Sequence, residues 1–109
     1  MGAGYSASKV KQLGNQFFKE AKYSKAARFY SEAIRVDKAN YQTLCNRCLC
    51  YLKLKKYAFA YADAVAVVKL KPDFPKGHYR LALVFLELNM LYEARRALRR
   101  ANALEPASP

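Results

Sequence analysis

Two cations at the start of a predicted helix raise the question of what balances their charge. Lys76 and Arg80 follow Pro75, which suits the first turn of a helix because its φ is fixed and it has no N–H to satisfy. Four residues apart, the two cations share a helix face and repel each other by about 0.2–0.5 kcal/mol. They also lie at the helix end where the macrodipole favours anions. No acidic residue lies within residues 74–80, so the pattern predicts an anionic partner from outside this stretch.

The composition of the chain also favours an anionic partner. Its 109 residues include 20 lysines and arginines against 8 aspartates and glutamates, which gives a formal charge of +12. This excess biases binding towards nucleic acid, anionic lipid or an acidic peptide, and charge alone does not choose among them. The length predicts a single domain with its own core, and no apolar run approaches the ~20 residues that a membrane span needs.

Three cysteines are clustered in a segment with a helical pattern: Cys45, Cys48 and Cys50. An odd, clustered set predicts reduced thiols packed between helices, in the cytosol or the nucleus, rather than a disulfide framework. A zinc site needs a fourth ligand, and His78 is the single histidine, so we expect no metal site and no cofactor. The opening MGAGYS fits a short myristoylation pattern at Gly2, but a free tail is the favoured interpretation.

A repeat of 34 residues organises the whole chain. Small residues recur at this spacing over three copies, and large apolar residues recur between them. The matched sets are Ala26, Ala60 and Ala94; Gly14, Cys48 and Ala82; Phe17, Tyr51 and Phe85; Ala33, Val67 and Ala101; and Val36, Leu70 and Leu104. Such a period predicts a solenoid of helix-turn-helix units, in which the small residues allow close packing and the large ones fill the remaining space.

Each copy contains two amphipathic segments, which in the first copy cover roughly residues 8–20 and 24–36. Asn40 and Asp73 are candidate helix caps between copies. Pro72 and Pro106 close the second and third copies. In these prolines and in its small-residue positions, the chain resembles the tetratricopeptide repeat family over residues 7–106.

The resemblance implies an all-α, right-handed superhelical solenoid of three tetratricopeptide repeats in one domain. The first helix of each pair would line a concave groove that binds peptides. The implied bounds are a disordered tail at 1–6, repeats at about 7–40, 41–74 and 75–106, and a short tail at 107–109.

Positions that are polar in all three copies identify the floor of this groove. The two equivalent rows are Gln12, Asn46 and Arg80, and Ser8, Gln42 and Lys76. Lys11 and Asn15 form a further i, i+4 pair beside the first row. Three cations and two carboxamides would then converge with no carboxylate among them. Such a set predicts charge-assisted hydrogen bonds to a ligand with a terminal or clustered carboxylate.

The set is similar to the carboxylate clamp of co-chaperone tetratricopeptide domains, which grips the C-terminal Glu-Glu-Val-Asp of the 70 and 90 kDa heat-shock chaperones. All five clamp positions are matched, through KQLGN, CNRC and KGHYR: Lys11, Asn15, Asn46, Lys76 and Arg80. The resemblance implies that Lys11 and the asparagines hold the terminal carboxylates, while the third-repeat cations reach backbone and side-chain acceptors. It also implies an apolar pocket for the peptide's valine and upstream residues, formed by Phe18, Leu49, Tyr79 and Leu83.

The predicted function is therefore a non-catalytic adaptor that binds the C-terminal peptide of heat-shock protein 90, heat-shock protein 70 or both. One alternative is nucleic-acid binding through the basic surface, including the arginines of the last helix: Arg95, Arg96, Arg99 and Arg100. Another is a purely structural scaffold, whose groove is filled by the same protein or a second copy. An enzyme is disfavoured because the chain has one histidine and no glycine-rich phosphate loop.

The last helix also carries apolar residues among its arginines. Leu91, Leu98 and Leu104 are expected on its exposed side. Because a solenoid needs a polar outer cap, this pattern predicts self-association or contact with the rest of a larger parent protein.

Overall fold

Within residues 6–105, the chain folds into six α-helices that follow one another in three pairs. The structure, a computed structural model, describes residues 6–105. The helices are α1 (Ala7–Lys19), α2 (Tyr23–Val36), α3 (Tyr41–Lys53), α4 (Tyr57–Leu70), α5 (Pro75–Glu87) and α6 (Leu91–Leu104). Since residues 6–105 contain no strand, the predicted all-α helical repeat is confirmed. The tails expected at 1–6 and 107–109 lie outside the described residues apart from Ser6, and so does Gly2.

The first helices of the three pairs begin at equivalent positions 34 residues apart. Ser6 caps α1 by accepting a hydrogen bond from the Lys9 N–H, and Asn40 caps α3 in the same way, as predicted. The prediction that Asp73 caps α5 is wrong. The repeat register places Phe74 at the cap position, one residue later, and no side chain caps this helix. The Asp73 carboxylate instead pairs with Lys71 at 3.3 Å.

The turn inside each pair has the same backbone conformation in all three repeats. Ala21, Lys55 and Asn89 have φ of 59°, 61° and 59°, which is the left-handed region. In the first turn the Ala21 N–H bonds to the Phe18 carbonyl, and the Lys22 N–H bonds to the Phe17 carbonyl, both at 2.9 Å. This pair of bonds is the Schellman motif, which usually places glycine at the left-handed position. The chain forms it three times without a glycine.

The core follows the small positions of the repeat. Ala26, Ala60 and Ala94 are all buried, as are the three cysteines, whose thiols are free. This confirms that the cysteines pack between helices. His78 is also buried, and its Nε2 lies 2.7 Å from the Pro72 carbonyl oxygen, which is a structural contact.

The surface of α6 departs in part from the expected pattern. Leu91 is 62% exposed, and the four arginines of this helix are exposed as well. Leu98 and Leu104, also expected on the exposed side, are half-buried. Leu98 is the repeat equivalent of Tyr30, which packs against the first helix of its own pair, and this explains its burial. Among residues 6–105, no helix is long and apolar enough to cross a membrane.

Candidate functional site

The first-repeat part of the predicted clamp is organised by a buried tyrosine. Tyr30 of α2 is 1% exposed, and its hydroxyl donates a 2.6 Å hydrogen bond to Oδ1 of Asn15 on α1. With its oxygen held, the Asn15 side chain keeps its NH₂ group to donate elsewhere. The tyrosine ring fits because residue 14 is glycine: a Cβ on Gly14 would lie 2.7 Å from two ring carbons. Gly14 and Tyr30 therefore determine the orientation of the Asn15 carboxamide.

Tyr30 also connects the first repeat to the second. Burial raises the pKa of Tyr30 to about 12, the charge of Cys50 acts in the same direction, and a hydrogen bond with the Asn46 side chain opposes both. Tyr30 also shares a buried cluster with Cys50 of α3, so it packs against the second repeat. Of the two predicted clamp asparagines, Asn15 bonds directly to Tyr30, and Asn46 lies on the neighbouring helix α3.

One of the third-repeat cations, Arg80, bonds to the backbone next to Asn46. Arg80 Nε of α5 donates a 3.4 Å hydrogen bond to the carbonyl oxygen of Cys45, the residue before Asn46. The Cys45 thiol in turn lies 3.9 Å from the carbonyl oxygen of Lys76. Burial raises the pKa of the Cys45 thiol, and the nearby charges of Arg80 and Lys76 partly oppose this. Arg80 therefore bonds beside Asn46, and the Lys76 backbone lies beside Cys45, which sequence spacing alone could only suggest.

Lys11 and Asn15 are one helical turn apart on α1, so they share a face. Both are half-buried, as are Asn46 and Arg80, while Lys76 is exposed. The polar rows predicted to face solvent are exposed or half-buried at every position. The structure therefore leaves the predicted clamp residues accessible to a ligand.

None of the clamp cations has a carboxylate partner within residues 6–105. The ion pairs in this range are Lys22–Glu20, Arg35–Glu32, Arg47–Asp63 and Lys71–Asp73. Lys11, Lys76 and Arg80 belong to none of them. The positive charges noted at the start of α5 are thus not balanced by the part of the chain that the structure describes.

The residues predicted to form the apolar pocket differ in their solvent exposure and in the contacts that their side chains already make. Leu83 is 40% exposed and Leu49 is half-buried. The Phe18 ring packs edge-on against Tyr23, with their centroids 5.3 Å apart. The Tyr79 hydroxyl donates a 2.8 Å hydrogen bond to Oδ1 of Asn102 on α6, so its polar end is already used. The apolar pocket therefore stays a prediction.

A buried ion pair beside the site was missed by the sequence analysis. Arg47, next to Asn46, donates from Nε and Nη2 to the two carboxylate oxygens of Asp63 on α4, at 2.9 and 2.7 Å. Its Nη1 donates to the Ser31 hydroxyl of α2 at 3.0 Å. Asp63 is 4% exposed, so the bidentate geometry is what satisfies its buried charge. The one guanidinium therefore links α2, α3 and α4 next to a clamp residue.

Both missed features had a signal in the sequence. Asp63 is the single acid in the otherwise apolar stretch 57–68, which marks it as a buried charge that needs a partner. Tyr30 is the largest member of the equivalent set Tyr30, Ala64 and Leu98, and it faces the smallest member of the set that contains Gly14. Comparing the two sets for complementary size would have paired them.

Comparison with known proteins finds a curated relative over most of this chain. No protein-family model matches the chain. It is 34% identical to the Hsp70-Hsp90 organizing protein of Triticum aestivum, over 94% of this chain and 18% of that protein. The chain thus spans about a fifth of the length of this curated relative.

Solved structures match the chain over most of their own length. The first TPR of Spaghetti (RPAP3), bound to the HSP90 peptide SRMEEVD, has a TM-score of 0.91 and is 32% identical over 94% of this chain and 82% of that one. The second TPR domain of human RPAP3, in complex with the HSP70 peptide SGPTIEEVD, has a TM-score of 0.87 and is 34% identical over 94% of this chain and 85% of that one. The repeat of 34 residues, the six helices and these similarities lead to one conclusion: the chain belongs to the tetratricopeptide repeat (TPR) family.

Proposed function

We propose that the chain is a non-catalytic binding module that holds the C-terminal Glu-Glu-Val-Asp of a heat-shock chaperone in a carboxylate clamp. The observation that carries the proposal is a set of accessible donors without counter-charge on the first helices of the three repeats. The Tyr30 hydroxyl holds Asn15, and Arg80 bonds to the Cys45 carbonyl beside Asn46. None of the three clamp cations has a carboxylate partner within residues 6–105.

The chemistry of a peptide that ends in aspartate suits this donor set. Its last residue carries two carboxylates, the α-carboxylate and the side chain, on adjacent carbons. Neutral carboxamides donate to such a pair without adding mutual repulsion, whereas Lys11 adds a charge-assisted bond. Lys76 and Arg80 would serve the acidic residues and carbonyls upstream. The tyrosine that holds Asn15 prepares the amide for this role before the peptide arrives.

The comparisons support this choice of ligand. The two RPAP3 structures hold peptides of both chaperone classes, and both peptides end in EEVD. The wheat relative is named as an organizer of the two chaperones, and the chain matches about 18% of it. We therefore propose that the module recruits heat-shock protein 90, heat-shock protein 70 or both to a longer protein, as a co-chaperone adaptor.

The thiols of the domain fit a binding role rather than a catalytic one. Burial raises the pKa values of Cys48 and Cys50 to about 12, which keeps these thiols protonated and poorly nucleophilic near neutral pH. Three free, buried cysteines also suit a reducing compartment, so we propose that the module acts in the cytosol or the nucleus.

Calorimetric titration with a peptide ending in Glu-Glu-Val-Asp tests the proposal directly. The free-acid peptide should bind, and amidation of its terminal carboxylate should weaken binding by at least about 10-fold. Lys76→Ala should weaken binding of the free-acid peptide by roughly 10- to 150-fold, because a charge-assisted contact contributes ~1.5–3 kcal/mol.

The matched control is Arg95→Ala, which removes the same charge from an exposed position on α6. This variant should bind the free-acid peptide almost as well as the wild type. Equal affinity for the amidated and free-acid peptides would refute the clamp. Tight binding of a single-stranded oligonucleotide, with steep weakening by salt, would favour the nucleic-acid alternative instead.

A further inference from the structure

A second concave site lies between the first two repeats, apart from the clamp. It is a cleft of about 820 Å³ between the N-terminal half of α2 and the C-terminal end of α3. Its apolar wall includes Phe17, Phe29 and Tyr51, and none of the nine predicted peptide-binding residues lines it. This volume lies within the range of ligand pockets, about 300–1,000 Å³. We call it the basic cleft, for the cations described next.

The rim of the basic cleft is positive. Lys25, Arg28 and Lys56 line it, all three are exposed, and none takes part in an ion pair within residues 6–105. Glu32 is the one carboxylate among its lining residues, and Arg35 already pairs with it at 2.5 Å. The rim therefore attracts negative charge, and the wall behind it offers apolar area.

The repeat register shows why a cleft exists at this place. Ala27 lines the cleft, and its equivalent in the second repeat is Tyr61. There the Tyr61 ring packs against Phe85, with centroids 5.9 Å apart, and Phe85 is the equivalent of the cleft residue Tyr51. Between repeats one and two the same position holds the small, buried Ala27, so no such aromatic pair forms there and the cleft lies beside it.

The aromatic rings of the cleft are already engaged, which bears on the kind of ligand. Phe17 stacks on Phe29 with centroids 5.3 Å apart, and the Lys25 ammonium lies 5.5 Å from the Phe17 centroid. Tyr51 contacts Phe59 at 5.4 Å, and the Arg47 guanidinium lies 5.5 Å from its centroid. These contacts use ring faces that a stacked nucleobase would need. Ring edges, small side chains and cations remain, which suit an aliphatic or aromatic side chain flanked by carboxylates.

We propose that the basic cleft is a second docking site, which binds an acidic segment of another protein through an apolar anchor residue. Charge complementarity selects the acidic segment, and the space beside Ala27 takes the anchor. The site needs no free C-terminus, so it would accept an internal segment of its partner and could be occupied together with the clamp.

A blocked peptide separates this site from the clamp. The probe is acetyl-EDEDLFEDED-amide, which has no terminal carboxylate, and its partner probe replaces the central Leu-Phe with Gly-Gly. The Leu-Phe peptide should bind at least about 10-fold more tightly than the Gly-Gly peptide, because each fully buried large apolar side chain contributes about 1.5–3 kcal/mol. Fluorescence anisotropy of labelled peptides measures both affinities.

Two sets of variants locate the binding. Lys25→Glu with Lys56→Glu lowers the net charge from +12 to +8, because each substitution removes a positive charge and adds a negative one. Arg95→Glu with Arg99→Glu makes the same change on exposed positions of α6. The Lys25/Lys56 variant should weaken binding of the Leu-Phe peptide by about 10-fold or more. The Arg95/Arg99 variant should weaken it by less than about 3-fold. Ala27→Tyr, which copies the filled second interface, should abolish binding while circular dichroism shows the fold retained.

Several outcomes would overturn the proposal. Equal binding of the Leu-Phe and Gly-Gly peptides would show that charge alone acts, and equal losses in the two charge-reversal variants would show that no local site exists. Displacement of the Leu-Phe peptide by a free-acid Glu-Glu-Val-Asp peptide, or its loss in Lys76→Ala, would assign the binding to the clamp. Tighter binding of oligo-deoxythymidine, abolished by the same cleft variants, would make the site one for nucleic acid.

Discussion

Among single side chains, Tyr30 explains most about how the site is built. Its ring lies against Gly14, its hydroxyl holds Asn15, and it packs in one buried cluster with Cys50 of the next repeat. A surface asparagine normally loses rotamer freedom when it binds, which costs about 0.5–1.5 kcal/mol. Here the tyrosine fixes the carboxamide in advance, so that this cost is reduced.

Tyr30→Phe tests this role because it removes the hydroxyl and keeps the ring. We expect peptide affinity to fall by about 3- to 10-fold, since Asn15 is no longer held, and the free energy of unfolding to fall by about 1 kcal/mol. Calorimetry and urea unfolding measure the two effects. Tyr57→Phe is the control, because its hydroxyl also donates to a side chain, Glu87, at 2.9 Å, away from the site. Equal peptide affinity in both variants would show that the Tyr30 hydroxyl does not contribute to peptide binding.

Among the structural elements, the turns within each pair combine a common geometry with unusual residues. The Schellman bonds recur in the third turn, where the Met90 N–H bonds to the Phe85 carbonyl at 2.8 Å. A left-handed conformation costs an ordinary L-residue about 1–2 kcal/mol, whereas glycine adopts it freely and asparagine tolerates it. Ala21 and Lys55 therefore carry backbone strain, and Asn89 carries less.

Glycine substitutions at these turns should separate the three positions. Ala21→Gly and Lys55→Gly should each raise the free energy of unfolding by about 0.5–1 kcal/mol, because relief of strain outweighs the extra entropy of glycine in the unfolded chain. Asn89→Gly is the internal control and should change stability little. Urea unfolding of the three variants gives the comparison. If Asn89→Gly raised the free energy of unfolding as much as Ala21→Gly, relief of backbone strain would not be the cause of the increase.

The sequence predicted the helices closely, because every repeat must bury the same face. The first pair was expected at roughly residues 8–20 and 24–36, and the helices are Ala7–Lys19 and Tyr23–Val36. Details that do not repeat were not predictable in this way. The N-cap residue of α5 is Phe74 and not Asp73. Tyr30 differs in size from its repeat equivalents Ala64 and Leu98.

The site was predictable as a set of positions, and its contacts were not. The repeat register put Asn46, Lys76 and Arg80 on first helices. The bond from Arg80 to the Cys45 carbonyl depends on how α5 packs on α3, which spacing along one chain does not determine. The basic cleft likewise depends on which side chains of neighbouring repeats contact each other, and the sequence alone does not determine those contacts.

For the whole molecule, the burial of acidic groups sets a dependence of stability on alkaline pH. Burial raises the pKa values of Cys48 and Cys50 from 9.0 to about 12, and that of Tyr30 from 10.0 to about 12. Between these values the unfolded chain has released protons that the native domain still holds. The free energy of unfolding therefore falls as pH rises from about 9 towards 12, and it is unaffected by these groups below about pH 8.

Urea midpoints measured at pH 8, 9 and 10 test this dependence. We expect the urea midpoint of the wild type to fall steadily as pH rises. The midpoint of Cys48→Ala should fall less steeply, because alanine, the residue at the equivalent position 82, does not ionise. An equally steep fall in Cys48→Ala, or no fall at all, would show that the buried thiols do not control alkaline stability.

The central claim, that donors from three repeats act together on a peptide terminus, is tested most directly by nuclear magnetic resonance of the ¹⁵N-labelled domain. On titration with a free-acid Glu-Glu-Val-Asp peptide, the side-chain NH₂ signals of Asn15 and Asn46 and the Arg80 Nε–H signal should shift together and saturate at one stoichiometry. The Nε–H signals of Arg95 and Arg99 should stay in place. Shifts confined to α6 or to the basic cleft, with both asparagine side chains unmoved, would contradict the account.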